Sequence, residues 1–397
     1  MKKPVRQKDE GVDRREFLKY GAVLGGAVAL GGMSFQNATA ADIKRTVAGE
    51  KSRVLGCNSQ TSTDGYWDNS TKAVMEINSG DVVEVETGTH LMGKMVPGSD
   101  INDWMKWYKE VQDKTEETYF YPDPLTGSKK LKRGGGHHHL TGPIYVNGAE
   151  PGDVLQIEIL EIIPSAYAFN LNAEASFAKS GLLVDDYPKG KVRWYRVDSK
   201  HKKFEFAPGI EIPINCFPGT IGVELPDPGM WSNVPPGRHG GNMDNKDITA
   251  GTVLYLPVGV KGAGLKTGDS HLAQGHGEVN LNALEGAFRN MTMRITVRKD
   301  LKPLVDWPFA STPTNWIAMG FHTDLLESCK MATRKAITFL TKYYGLDPME
   351  AYAFCSMGVD LHVTQLVDYT MGIHAMIPKT CFVGDQYSKK NGLLLVA

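Results

Sequence analysis

Three stretches of this chain begin with a turn glycine and run straight into apolar residues at strand spacing. They are GDVVEVET (residues 80–87), GDVLQIEILEII (152–163) and GTVLYLPVGV (251–260). A fourth, MTMRITVRK (291–299), alternates cleanly, with Met293, Ile295 and Val297 on one face and Thr292, Arg294 and Thr296 on the other. In the second run Leu155, Ile157 and Ile159 share a face. The third is almost continuously apolar, the pattern of a strand buried on both sides. With 43 glycines and 21 prolines to punctuate such runs, a chain of 397 residues is expected to fold mainly as β structure. Gly80-Asp81 and Gly152-Asp153 precede similar strands, which suggests a related hairpin used twice.

The pattern changes towards the C-terminus. Residues 323–345 repeat apolar positions at Leu325, Cys329, Ala332, Ala336, Phe339 and Tyr343, a helix that Thr323 can cap and Gly345 can end. A second helix is expected after Asp347, with Pro348 at its first position and Glu350 at capping-box spacing. Residues 360–368 then read as a strand. Between residues 102 and 133, Trp104, Trp107, Tyr108 and Val111 predict a short helix, followed by a basic loop that extends over the site. The expected organisation is a leader at 1–40, a β-rich core at 41–305 and a smaller α+β part at 306–397 that completes the site.

The first forty residues are a separate matter. Arg14 and Arg15 precede Phe17, Leu18 and Lys19, and a glycine- and alanine-rich apolar run follows over residues 21–33. That run is short for a membrane span. Ala38-Thr39-Ala40 offers a small-residue cleavage site. The whole resembles a twin-arginine export signal, so the twin-arginine translocase is an expected partner and the mature chain is expected to be periplasmic or secreted, with no stable membrane anchor. A net charge of −1 and the lack of a basic stripe argue against a nucleic-acid partner. Five scattered cysteines without a C-x-x-C pair argue against a disulfide framework or zinc ribbon and favour buried free thiols.

Chemistry-bearing side chains concentrate in three glycine-rich loops. GGGHHHLTGP brings His137, His138 and His139 into a strand, where adjacent side chains face opposite ways, so at most two of them share a site. PPGRHGGNMDNKD holds His239, Asn242 and Asp244. GDSHLAQGHGEV holds Asp269, His271, Gln274, His276 and Glu278. Glycine lets the backbone approach a small ligand closely. Carboxylates and imidazoles are ligands that zinc accepts, and they leave a carboxylate over to act as general base.

Four blocks, LTGPIYVNGAEPGDVLQIEI, PPGRHGGNMDNKDITAGTVLYLPV, GDSHLAQGHGEV and HVTQLVDYTMGIHAMIPK, together resemble the acetamidase/formamidase family, in the family's order and over nearly the whole mature chain. The resemblance implies a jelly-roll-like β-sandwich or barrel core, hydrolysis of a small linear amide to a carboxylate and ammonia, a divalent metal, taken as zinc, and a homodimer. Asn242, Asp244, Asp269, His271 and Glu278 carry over by motif position, and His139 by adjacency. The expected ligands are Asp269 and His271, completed by Asp244 or by a histidine of the 137–139 run, with His139 the choice. Glu278 is the expected general base, with Asp244 and Asn242 also catalytic. Asn242, His239 and His276 are expected to contact substrate. Which carboxylate is ligand and which is base stays open.

The family usually reads Gln-Gly-Asp-Gly-Glu where this chain has Gln274-Gly275-His276-Gly277-Glu278. The export signal and the long 102–133 excursion are further departures. Two other readings remain: an exported, non-catalytic small-ligand-binding protein on the same fold, and a hydrolase of lactams or other C–N bonds.

Overall fold

The computed structural model describes residues 44–47, 50–112, 118–119, 130–131, 136–175, 181–197 and 202–395. The leader expected at residues 1–40 and most of the basic loop after residue 112 lie outside these. The first large sheet has ten strands among the described residues. In spatial order they are Lys44–Val47, Glu50–Leu55, Val82–Val85, Phe288–Arg298, Val154–Pro164, Val253–Pro257, Phe309–Ser311, Asn315–His322, Met371–Pro378 and Asp360–Gln365. The second is built on Ala263–His271, which pairs with Phe217–Gly222, Glu285–Gly286 and His139–Asn147. The expectation of a mainly β fold holds.

Side-chain alternation makes the layers. In Val154–Pro164, Leu155, Ile157 and Ile159 enter a core shared with Ile144, Val146, Ile221 and Leu265 of the second sheet. Val154 points the other way, into a core with Phe309, Trp316 and the helix residues Ala332, Ala336 and Phe339. Val253–Pro257 is divided in the same manner: Leu254 and Leu256 face the second sheet, Val253 and Tyr255 the helices. This is why its sequence is apolar throughout. Each such large side chain, fully buried, contributes roughly 1.5–3 kcal/mol. The first sheet is therefore the middle layer of three.

The two Gly-Asp strands flank one partner. Val82–Val85 and Val154–Pro164 pair antiparallel with opposite edges of Phe288–Arg298. Strands on either side of the boundary expected at 305/306 share the first sheet. Val253–Pro257 pairs with Phe309–Ser311, and the C-terminal strands extend the same sheet, because the apolar tail strands find their partners in its edge.

The helix Leu325–Phe339 is capped by Asp324, whose side chain accepts from the Glu327 N–H at 3.1 Å; the cap is one residue later than the expected Thr323. Its backbone lies directly on the sheet at Gly320, where a Cβ would come within 2.4 Å of the Ser328 carbonyl oxygen. After a π-helical turn over Leu340–Tyr344, Gly345 ends it in the left-handed conformation. Asp347 caps Pro348–Gly358 by accepting from the Met349 and Glu350 amides. The helix Ile101–Gln112 was expected from its aromatic spacing, and it stacks Trp104 on Tyr108. The five cysteines are free, but four are only half-buried and Cys381 is exposed, since none lies at a fully enclosed core position. Among the described residues, no helix is long and apolar enough to cross a membrane.

Candidate functional site

The strand Ala263–His271 ends at the site. Its period of two places Asp269 and His271 on one face, 3.4 Å apart between Oδ2 and Nε2. The neighbouring Phe217–Gly222 supplies the floor at Gly219. A Cβ there would lie 2.6 Å from Asp269 Oδ2, 2.6 Å from His271 Cε1 and 2.8 Å from Asp244 Oδ1, so only glycine leaves these three groups their space. Asp244 follows the strand Gly240–Asn242, and its amide is held by the Gly219 carbonyl at 3.1 Å.

Around these residues closes a cavity of about 10 Å³, the room for one water- or cation-sized occupant. Five carboxylates line it (Asp244, Asp269, Glu278, Glu285 and Asp368), with the imidazoles of His90, His137, His138 and His271. Asp244, Asp269 and Glu278 all have φ near +50°, with values of 50°, 50° and 47°. The left-handed region is strained for side-chain-bearing residues, and such strain concentrates where function fixes geometry.

The electrostatics divide the cavity. On one side His90 Nε2 meets Asp269 Oδ1 at 2.7 Å and Glu285 Oε2 at 3.1 Å, and His271 Nε2 meets Glu285 Oε2 at 3.2 Å. Burial alone would lower the His90 pKa, but Glu285 and Asp269 outweigh it and hold it at about 9. The same carboxylates raise His271 against its burial. Burial would raise Glu285, yet His271 and His90 hold it at about 2. On the other side Asp244 and Glu278 are pushed well above the usual carboxylate range, first by burial and then by their acidic neighbours. Burial raises Asp368 to about 6. On this side carboxylates outnumber imidazoles, so they hold their protons more tightly than those of the first side.

Both carboxylate oxygens of Asp244, and Asp368 Oδ2, are buried without a hydrogen-bond partner. Unsatisfied buried oxygens are costly. Three sets of donors, His90/His138/Asp269, Asp244/His271/Glu278 and Asp269/His271/Glu285, each bring their ligand atoms within 4.8 Å of one another. Oxygen and imidazole donors at this density suit a divalent cation of the zinc type.

Of the residues named from sequence, Asn242, Asp244, Asp269, His271 and Glu278 line this cavity. His139 does not. In the extended chain, His138 takes the inward position, with Nδ1 3.1 Å from Asp269 Oδ1, and His139 faces away. Its Nδ1 lies 2.6 Å from Asp64 Oδ1, it bonds Cys57 as well, and the pair outweighs burial to raise its pKa to about 9. His239 is also outside: it packs edge-on against Trp67 with ring centroids 4.9 Å apart, and burial pushes its pKa down to about 3. His276 is turned outward, towards His362 and His374. Sequence reasoning missed His90, Glu285 and Asp368. Asp368 lies within a block that was singled out, and His90 comes three residues after the Gly80–Thr87 strand signal, whereas Glu285 has no signal of its own. The Ile101–Gln112 helix reaches the cavity wall, where Trp104 meets His137 edge-on at 6.1 Å.

A β-rich enzyme with a buried histidine–carboxylate cluster is the class these features define. The acetamidase/formamidase family profile matches residues 130–233 and 229–383. A formamidase from Methylophilus methylotrophus is 29% identical over 317 residues, 62% of this chain and 74% of the relative. An acetamidase from Mycolicibacterium smegmatis is 29% identical over 213 residues, 39% of this chain and 52% of the relative, about half its length. The crystal structure of an acetamidase from Bacillus halodurans superposes with a TM-score of 0.68 at 26% identity, covering 83% of this chain and 98% of that one. The chain belongs to the acetamidase/formamidase family.

Proposed function

We propose that the chain hydrolyses short linear amides to a carboxylate and ammonia in this cavity, with Asp269, His271, Asp244 and His138 holding a divalent cation, zinc by the nature of the donors. The observation that carries the reading is the convergence of Asp244, Asp269, His271 and Glu278 on one small buried space with unsatisfied carboxylate oxygens. The four ligand residues would hold a cation whose chemistry there would be Lewis acidity towards the amide carbonyl and a lowering of the pKa of bound water from about 15.7 towards about 7. Glu278, whose buried carboxylate binds a proton readily, takes the proton of the attacking water and delivers it to the departing nitrogen. Thr220 donates to Asn242 Oδ1 at 2.6 Å, which leaves the Nδ2 group of Asn242 to donate to the tetrahedral oxyanion. His90 and Glu285 orient Asp269 and His271 from behind.

The Arg14-Arg15 leader supports export through the twin-arginine translocase to the periplasm or beyond, and the family resemblance supports a homodimer. The deciding experiment incubates purified mature protein with formamide, acetamide and a small lactam, measuring ammonia and carboxylate before and after chelation and zinc replacement. Equimolar ammonia and carboxylate from the linear amides, lost on chelation and restored by zinc, is expected. Turnover of the lactam alone would overturn the substrate reading, and full activity after exhaustive chelation would overturn the metal.

A further inference from the structure

Outside the cavity, a second group of donors meets at the surface. One ligand atom each from Asp247, His276, His362 and His374 lies within 4.8 Å of the other three. The three imidazoles face one another pairwise: ring centroids are 4.7 Å apart for His276 and His362, 5.2 Å for His276 and His374, and 5.2 Å for His362 and His374. Imidazoles packed this closely repel when protonated and cannot all donate to each other when neutral. The Nδ1 of His362 is buried with no hydrogen-bond partner.

The ring of His374 is already oriented. Thr364 Oγ1 holds its Nδ1 at 2.7 Å, which directs Nε2 to Asp247 Oδ2 at 3.0 Å. That arrangement matches a metal-ligating histidine fixed through its other nitrogen by a second group. The 3.0 Å gap between Nε2 and the carboxylate oxygen need open by only a few tenths of an ångström to reach the edge, about 3.3–3.4 Å, of a tetrahedron around an ion with bonds of about 2.0–2.1 Å.

We propose that Asp247, His276, His362 and His374 form a second, separate divalent-cation site, of tetrahedral His3Asp type and suited to zinc. It does not depend on the amide-hydrolase reading. Its place in the fold gives it a role. Gly277 donates to the Thr364 carbonyl at 3.0 Å, and Leu366 donates to the Gly277 carbonyl at 3.1 Å, so the turn around Gly277 is laid on the hairpin formed by Asp360–Gln365 and Met371–Pro378. The same two segments send Glu278 and Asp368 into the inner cavity. An ion gripping His276 from one segment and His362 and His374 from the other clamps the turn that carries Glu278. His276 stands where the family resemblance places an Asp, so the imidazole that completes this set is a departure of this chain.

The test is a zinc titration of metal-stripped mature protein against a chromophoric chelator, with cobalt(II) spectra as a second readout. Wild type, His362→Ala, His276→Ala, Thr364→Val and Asp269→Asn are compared. The expected result is one equivalent fewer at high affinity in His362→Ala and His276→Ala. Thr364→Val, which removes only the orienting bond, should weaken that equivalent by about 10–100-fold. The outer equivalent, with its tetrahedral cobalt absorption, should persist in Asp269→Asn. Unchanged zinc stoichiometry and affinity in both His362→Ala and His276→Ala overturns the proposal, whatever happens to the inner site. Loss of all zinc in Asp269→Asn, with the outer variants still matching wild type, does so too while leaving the inner reading intact. Should either alanine variant misfold by circular dichroism, the Thr364→Val titration decides, and wild-type affinity there counts against the site.

Discussion

Asp269 and His271 are two residues apart on one strand, face the same way, and rest together on the bare backbone of Gly219, with Asp269 Oδ2 and His271 Nε2 3.4 Å from each other. The contact between strand and glycine makes a flat floor under both side chains. A methyl group on that floor would touch Asp244 as well.

Gly219→Ala is therefore expected to remove activity on short amides and to reduce metal content, while the sheets still form. The new Cβ would come within 2.8 Å of three site groups at once. Metal analysis and circular dichroism of the purified variant check this; a variant with wild-type turnover would mean the groups move aside freely.

Glu278→Gln is expected to keep bound metal and to lower kcat by about 10²–10⁴-fold with little change in KM, because a general base acts in the transition state. Wild-type kinetics would move the base role to Asp244.

Asp153 gives a pH signature remote from the site. Burial would raise its pKa, but Lys299 at 2.7 Å and Lys302 at 2.8 Å outweigh this and hold it below the ordinary value. A depressed folded-state pKa stabilises the fold above the unfolded value, about 3.9, and that contribution disappears as pH falls through the folded value. Asp153→Asn should cost about 1–3 kcal/mol at pH 7 and progressively less below about pH 4. Urea unfolding of both proteins at pH 7, 4 and 3 reads the difference; a constant gap would contradict the linkage.

Lys266 and Glu224 form a buried pair at 2.5 Å, with the Lys266 ammonium 5.7 Å from the centre of the Trp67 ring. Lys266→Met leaves a carboxylate in the interior and should cost about 3–5 kcal/mol, most of which Lys266→Met with Glu224→Leu should recover. Equal stability of the single and double variants in chemical denaturation would show that the pair is not coupled.

The sheet was legible because a strand's period shows directly in side-chain type: Leu155, Ile157 and Ile159 fall on the face read from the sequence, and the uniform apolarity of residues 253–257 marks a strand between two cores. The pairing of Val253–Pro257 with Phe309–Ser311 was not legible, because strand pairing across distant sequence leaves no local trace. The site divides in the same way. Asp269 and His271 sit together by local periodicity, and Asn242 and Asp244 were found through the family blocks. Parity explains the error at the histidine run. Only one of two adjacent side chains can face inward, and sequence does not say which; it is His138 that meets Asp269. His90 and Glu285 meet through Nε2 and Oε2 at 3.1 Å although nearly two hundred positions separate them, and Asp368 arrives by the last hairpin.

That last hairpin has a consequence in time. The strand Val82–Val85, which has Glu50–Leu55 on one edge, finds its antiparallel partner only when Phe288–Arg298 has been made, and the cavity gains its final carboxylate only with Asp368. At synthesis rates of about 5–20 residues per second, His90 waits for Asp368 for roughly 15–60 s. Throughout that interval the growing chain has exposed sheet edges and an incomplete histidine–carboxylate cluster. Activity therefore belongs only to the finished chain: a ribosome that stalls before Asp368 releases a product missing one wall of the cavity, and proteolysis of the tail would silence the enzyme without touching Asp269 or His271.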